Sequence, residues 1–156
     1  MLRLPRLALT STLASSLVLT LALAGSVAAG GKPLAATLLP GNEPGGGDPS
    51  AAASGSFAMT ANYGHKTICY WLSWEDLSVP ATAAHIHLAP AGVIGGVVVP
   101  LSVTSTVTGS TSACIEGVNE VTLKGIIQDP SGYYVNVHTA LNAGGAVRGQ
   151  LTEPED

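Results

Sequence analysis

His85 and His87 are the pair in this sequence whose type and spacing most directly offer chemistry. On an extended strand, residues two apart point to the same side and stand roughly 6.5–7 Å apart at the backbone, so both imidazoles can bend to one ion. A third imidazole, His138, closes the run Tyr133, Tyr134, Val135, Asn136, Val137, His138. Alternation there makes Tyr133, Val135 and Val137 an apolar face and leaves Tyr134, Asn136 and His138 opposite. In the last apolar stretch Val147 and Leu151 point one way, and Ala146, Arg148 and Gln150 the other. If these strands are neighbours in one sheet, then His85, His87, Asn136, His138, Arg148 and Gln150 converge on one outer polar face. Three imidazoles suit copper or zinc, whose nitrogen ligands lie about 2 Å from the ion. The plainer alternative is bracing, because strand histidines also hydrogen-bond to carbonyls and carboxylates and a His-x-His pair alone is a weak signal.

The elements needed to position these side chains read as short strands broken by Gly, Pro and Asn, with no long 3.6-residue apolar period. Eight are expected: Leu34–Leu39, Gly55–Ala61, Thr67–Trp74, Ala83–Leu88, Val97–Val103, Ala113–Val118, Gly132–Thr139 and Ala146–Thr152. Eight short strands predict an all-β domain, a two-sheet sandwich or flattened barrel. On the fourth, Ile86 and Leu88 take the apolar side opposite the histidines. One helix or turn fits Asn119 to Gln128. Gly41 to Ser54, with Gly45, Gly46, Gly47 and Pro49, reads as a loop with freedom to move. Gly92, Gly95 and Gly96 read as a tight hairpin or loop beside the histidine pair.

Composition narrows the function. Only 10% of the 156 residues are charged, and six Lys and Arg cannot make a broad nucleic-acid-binding face. Arg3 and Arg6 precede an uncharged stretch from Leu7 to Ala24, and Val27, Ala28 and Ala29 follow. This pattern predicts a signal peptide over residues 1–29, cleaved after Ala29 or Ala28, and hence a secreted, periplasmic or cell-surface protein. An uncleaved anchor is the alternative, but Thr10, Ser11, Thr12, Ser15 and Ser16 dilute the stretch. The expected remainder is one domain over residues 30–152 and an acidic tail over 153–156. It keeps four basic residues against ten acids, a net charge of 4 − 10 = −6, unsuited to anionic membranes or nucleic acid. No second apolar run is long enough to enter a membrane after cleavage.

Cys69 and Cys114 are the only cysteines, and in an oxidising compartment they are expected to form one disulfide. Cys69 shares a strand face with Trp71, while Tyr70, Leu72 and Trp74 take the other. Core packing of these aromatics against the disulfide is the expected role, and a carbohydrate or peptide platform the alternative. His65 reads as a surface histidine. No Gly-x-Ser-x-Gly, Walker-type, dinucleotide-type or His-Glu-x-x-His motif occurs, and no residue is assigned a catalytic role.

Ala84, His85, Ile86, His87, the glycines at 92, 95 and 96, and Val97 to Leu101 resemble a signature of the CHRD domain, named after chordin. Tyr133 to Thr139, Gly144, Gly145 and Arg148 to Leu151 resemble its closing motif, and Gly41, Asn42, Glu43 and Pro44 its opening one. The resemblance spans about Ala35 to Leu151. It implies a Greek-key, immunoglobulin-like β-barrel similar to the Cu,Zn superoxide dismutase fold. In that fold a His-x-His strand, a later strand histidine and a near-terminal arginine surround copper, which His85, His87, His138 and Arg148 match in order. Asn136, Gln150 and Tyr134 would support the ligands, and Arg148 would support them or steer an anion. The bridging histidine and zinc ligands of the dismutases have no counterpart, since no histidine lies between His87 and His138. The expected function is therefore a non-enzymatic binding or structural module with a three-histidine copper site, meeting an extracellular protein or cell-surface component. The alternative is a mononuclear copper redox protein with superoxide dismutase-like activity.

Overall fold

The computed structural model describes residues 30–154. The expected signal peptide, and Glu155 and Asp156 of the tail, lie outside them. The strands are β1 Lys32–Leu38, β2 Ser54–Asn62, β3 Thr67–Glu75, β4 Ala81–Leu88, β5 Gly96–Leu101, β6 Gly109–Ile115, β7 Tyr133–Thr139 and β8 Val147–Gln150. They form two antiparallel four-stranded sheets, ordered β1-β2-β3-β6 and β5-β4-β7-β8. β6 returns beside β3 and β7 beside β4, the connection pattern of a Greek-key sandwich. The expected sixth strand is displaced: it starts at Gly109 and ends at Ile115. The polar run Gly109 to Ser112 extends it because β6 is an edge strand, satisfied by pairing with β3 through Trp74↔Gly109 to Ile68↔Ile115.

Alternation puts the apolar residues between the sheets. Leu34, Phe57, Met59, Ile68, Leu72 and Trp74 face Ile86, Val99, Val135, Val137, Val147 and Leu151. Beyond the strands, α1, Glu120–Gln128, adds Leu123 and Ile126 to this core. The Asn119 side chain starts that helix by accepting the Val121 and Thr122 N–H groups, at 2.9 and 3.2 Å. Leu88 departs from expectation. It is 52% exposed, because it ends β4 beyond the reach of the opposite sheet, after a register shift between Ile86 and His87.

Cys69 and Cys114 are cross-strand partners in β3 and β6 and form the disulfide. Its position corrects the expected packing of the aromatics. Tyr70 and Trp74 are in the core, whereas the cystine lies on the opposite, outer face with Trp71, which is 44% exposed. A strand cannot present neighbouring residues to one side, so core aromatics and disulfide are separated by the sheet itself.

The two sheets meet along β1 and β8. Ala35 and Thr152 exchange backbone hydrogen bonds of 2.9 Å, and Leu39 and Arg148 exchange bonds of 3.0 and 3.2 Å. Gly149 lies so close to the Thr37 carbonyl that a side chain there would collide with it. The segment 41–54 is a strap rather than a free loop. The buried Asp48 carboxylate accepts from the Ser78 hydroxyl at 2.6 Å, the Asn142 amide donates to the Gly47 carbonyl at 2.6 Å, and Asp48 N–H donates to the Ala146 carbonyl at 2.8 Å. Among the described residues no helix is long and apolar enough to cross a membrane.

Candidate metal centre

β4 and β7 are hydrogen-bonded neighbours with His85↔Asn136 and His87↔Tyr134 in register, and β7 pairs β8 with Asn136↔Arg148 and Tyr134↔Gln150. His85, His87, Tyr134, Asn136, His138, Arg148 and Gln150 therefore fall on one face of one sheet. That face is not the open outer surface that alternation alone predicts. The strap around Glu43, the 89–95 loop and the 142–145 turn cover it, leaving His87, His138, Asn136, Tyr134 and Arg148 buried and His85 half-buried. Strand periodicity assigns a side chain to a face; it carries no information about which loops fold over that face.

The ligand nitrogens of His85, His87 and His138 all lie within 4.8 Å of one another, the one such group of three among the described residues. Two backbone carbonyls fix the proton positions. His87 Nδ1–H donates to the Gly95 carbonyl at 3.0 Å, and His138 Nδ1–H to the Ala143 carbonyl at 3.0 Å. A carbonyl only accepts, so each of these rings carries its proton on Nδ1 and presents a bare Nε2. His85 Nδ1 approaches His138 Nε2 to 3.0 Å. His87 Nε2 is buried without a hydrogen-bond partner. An ion about 2 Å from all three nitrogens requires the most separated pair to close by roughly an ångström, within the reach of small ring rotations.

Burial depresses the basicity of all three rings. His138 is held at about 4, chiefly by desolvation and further by the neighbouring His85 and His87, against the opposing bond to Ala143. His87 is lowered by desolvation first and by Arg148, against the Gly95 bond and the approach of the Asn136 amide. His85 is lowered by desolvation and by His87. Neutral imidazoles are the form that ligates a metal. A cleft of about 590 Å³ gives access to the three rings, walled mainly by Ala83, Ile94, Val97, Ala140 and Ala143.

The remaining predicted residues brace this arrangement. Arg148 is 1% exposed, and its guanidinium donates to the Val93 and Pro90 carbonyls, both at 2.9 Å. Gln150 donates to the Ala89 and Ser131 carbonyls at 2.8 and 2.7 Å. Both hold down the loop that carries Gly95. Arg148 does not face the cleft as an anion-steering cation would: its two terminal nitrogens are committed to carbonyls, and burial removes it from the surface. His65 is exposed, as expected.

Sequence spacing does not mark Glu43 as a ligating or supporting residue. Its side chain is buried above β7, where Asn136 Nδ2 donates to its Oε1 at 3.3 Å and to the Gly144 carbonyl at 3.3 Å. Burial raises its basicity, against the Asn136 bond and the Arg148 charge. The only sequence signal was its place in the Gly41 to Pro44 motif, which says nothing of a partner 93 residues away.

With the sandwich and its face established, the family model of the CHRD domain matches residues 34–151. The chain belongs to the CHRD-domain family. The match spans the CHRD domain from β1 to the residue after β8, so it includes all three histidines and the elements that carry them. No curated protein and no solved structure matches the chain. A CHRD domain closed by a disulfide is consistent with an extracellular location.

Proposed function

We propose that this protein is an exported, non-enzymatic CHRD module that holds one metal ion, copper by preference, on His85, His87 and His138, and that presents this site to an extracellular protein or cell-surface component. The observation that carries the reading is the convergence of three imidazole nitrogens with two of the rings locked, Nδ1 protons outward, on Gly95 and Ala143. Carbonyl-anchored imidazoles are how proteins fix the tautomer and aim of a metal-ligating histidine. Histidine-only nitrogen donors suit copper and zinc above harder ions, and copper stands above zinc in intrinsic affinity. The ion would supply a cross-link between β4 and β7 and a site for a partner's donor group. Copper titration of the purified protein against a His85→Ala, His87→Ala double variant tests this. One ion per chain in the native protein with uptake lost in the variant is the expected result, and equal uptake by both removes the reading.

The second reading, a redox copper centre with superoxide dismutase-like activity, is favoured by the cleft, through which a small molecule reaches His85. The buried Arg148 speaks against it, because it supplies no exposed cation to gather an anion. Superoxide removal by the copper-loaded protein above that of free copper would favour this second reading over the first.

A further inference from the structure

Asn136 occupies the middle of the covered face. His85 lies across the strand gap on one side and Arg148 on the other, with Tyr134 and His138 two residues away along β7. It is fully buried. Its amide orientation is set by chemistry, since Nδ2–H groups point at two acceptors, Glu43 Oε1 and the Gly144 carbonyl. Rotating the amide would set Oδ1 against both of them. Oδ1 is thus turned the other way, and it is buried with no hydrogen-bond partner. His87 Nε2 is the other buried side-chain nitrogen or oxygen without a partner among the described residues, and β4 and β7 place the two residues on adjacent, paired strands of the same face.

Each of these two buried acceptors has lost the solvation of a lone pair with no bond to replace it. A cation bound by both would satisfy both.

We infer that the side-chain oxygen of Asn136 is the fourth donor to the ion held by His85, His87 and His138, with the Glu43 carboxylate bonded behind the amide as the buried counter-charge. The inference rests on the three-histidine reading above and extends it in chemistry. Three neutral imidazoles and a neutral amide leave a divalent ion uncompensated in a poorly solvated site. Glu43 places a carboxylate one hydrogen bond from the donor amide, and its pull on Nδ2–H increases the electron density on Oδ1. The strap that opens the domain is then part of the metal site, and the mixed N₃O donor set remains within the range of copper and zinc.

Cobalt(II) and copper(II) titrations of the native chain, Asn136→Leu and Glu43→Gln test this. Asn136→Leu keeps the γ-branched shape and removes the oxygen together with the amide donor to Glu43 and Gly144. It is expected to weaken binding by about 10–100-fold and to change the cobalt visible absorption and the copper EPR hyperfine pattern. Glu43→Gln keeps the bond to Asn136 without the charge. It is expected to weaken binding several-fold and to leave the spectra close to native. A purely structural Asn136 would lower stability but leave both spectra unchanged, and that result overturns the inference while the three-histidine site stands. Failure of the native chain to take up either metal removes both readings together. Should Asn136→Leu not fold, the zinc-loaded native protein decides through the Asn136 side-chain amide resonances. A large shift on zinc loading supports ligation, and an unmoved amide overturns it.

Discussion

The Tyr134 ring lies parallel to the His87 imidazole, with centroids 4.6 Å apart and planes 5° apart, and the Arg148 guanidinium sits 3.4 Å from the Tyr134 ring centroid. Two flat groups cannot share one face of a ring, so Tyr134 is held between an imidazole and a guanidinium. The stack joins β8 to β4 through β7. It also couples the loop carbonyls that Arg148 holds to the ring whose Nδ1–H donates to Gly95.

Replacing Arg148 should therefore act in two places. Arg148→Met leaves the Pro90 and Val93 carbonyls without their donor. We expect a loss of about 2–3 kcal/mol in urea unfolding and roughly tenfold weaker metal binding as the Gly95 anchor loosens. Unchanged affinity in the folded variant would show that the loop does not aim His87.

The metal-free protein should lose stability in mild acid. His138 is at about 4 when folded against 6.5 for a free histidine, so the unfolded chain binds more protons between those values. Stability then rises with pH through this window and is lost as pH falls from 6.5 towards 4. His85 and His87 are lowered as well and act in the same direction. For His138 alone the loss is at most roughly 3 kcal/mol. Urea midpoints of the metal-free native chain should follow this slope, and His138→Gln should flatten it.

The disulfide and the histidine site should be separable. Removing the bond with Cys69→Ser and Cys114→Ser opens a 45-residue span, worth about 3–4 kcal/mol in the chain-entropy account. The bond lies on the outer face of the other sheet, so copper affinity measured on the folded double variant should equal that of the native chain.

Gly145 offers a sharper probe of the strap. Its φ of +140° is unfavourable to any side chain, and a Cβ there would collide with Glu43 Oε1. Gly145→Ala should destabilise the domain by about 1–3 kcal/mol and weaken metal binding by displacing Glu43 from Asn136. Calorimetry and titration on one sample would show whether the two losses travel together.

Export should leave a defined N-terminus. Mass measurement of the protein recovered from outside the cell is expected to give a chain beginning at Gly30 or Ala29. A chain that retains Arg3 and Arg6 in a membrane fraction would mean an anchor instead.

The sequence by itself determined most of the strands and their faces, because the two-residue period is a property of the extended backbone. The polar first half of β6, Gly109 to Ser112, and the exposure of Leu88 were beyond it, because edge pairing and reach to the other sheet decide them. Alternation placed His85 with His87, and Tyr134 with Asn136 and His138, without knowledge of any neighbour. The disulfide was equally legible, since only two cysteines exist. Tertiary structure alone decided that the polar face is roofed over, that Arg148 spends its donors on the Pro90 and Val93 carbonyls, and that Glu43 reaches Asn136 across 93 residues. Those outcomes depend on how loops pack on a finished sheet. The energies involved come from burial and from hydrogen bonds between distant segments, for which local spacing carries no signal.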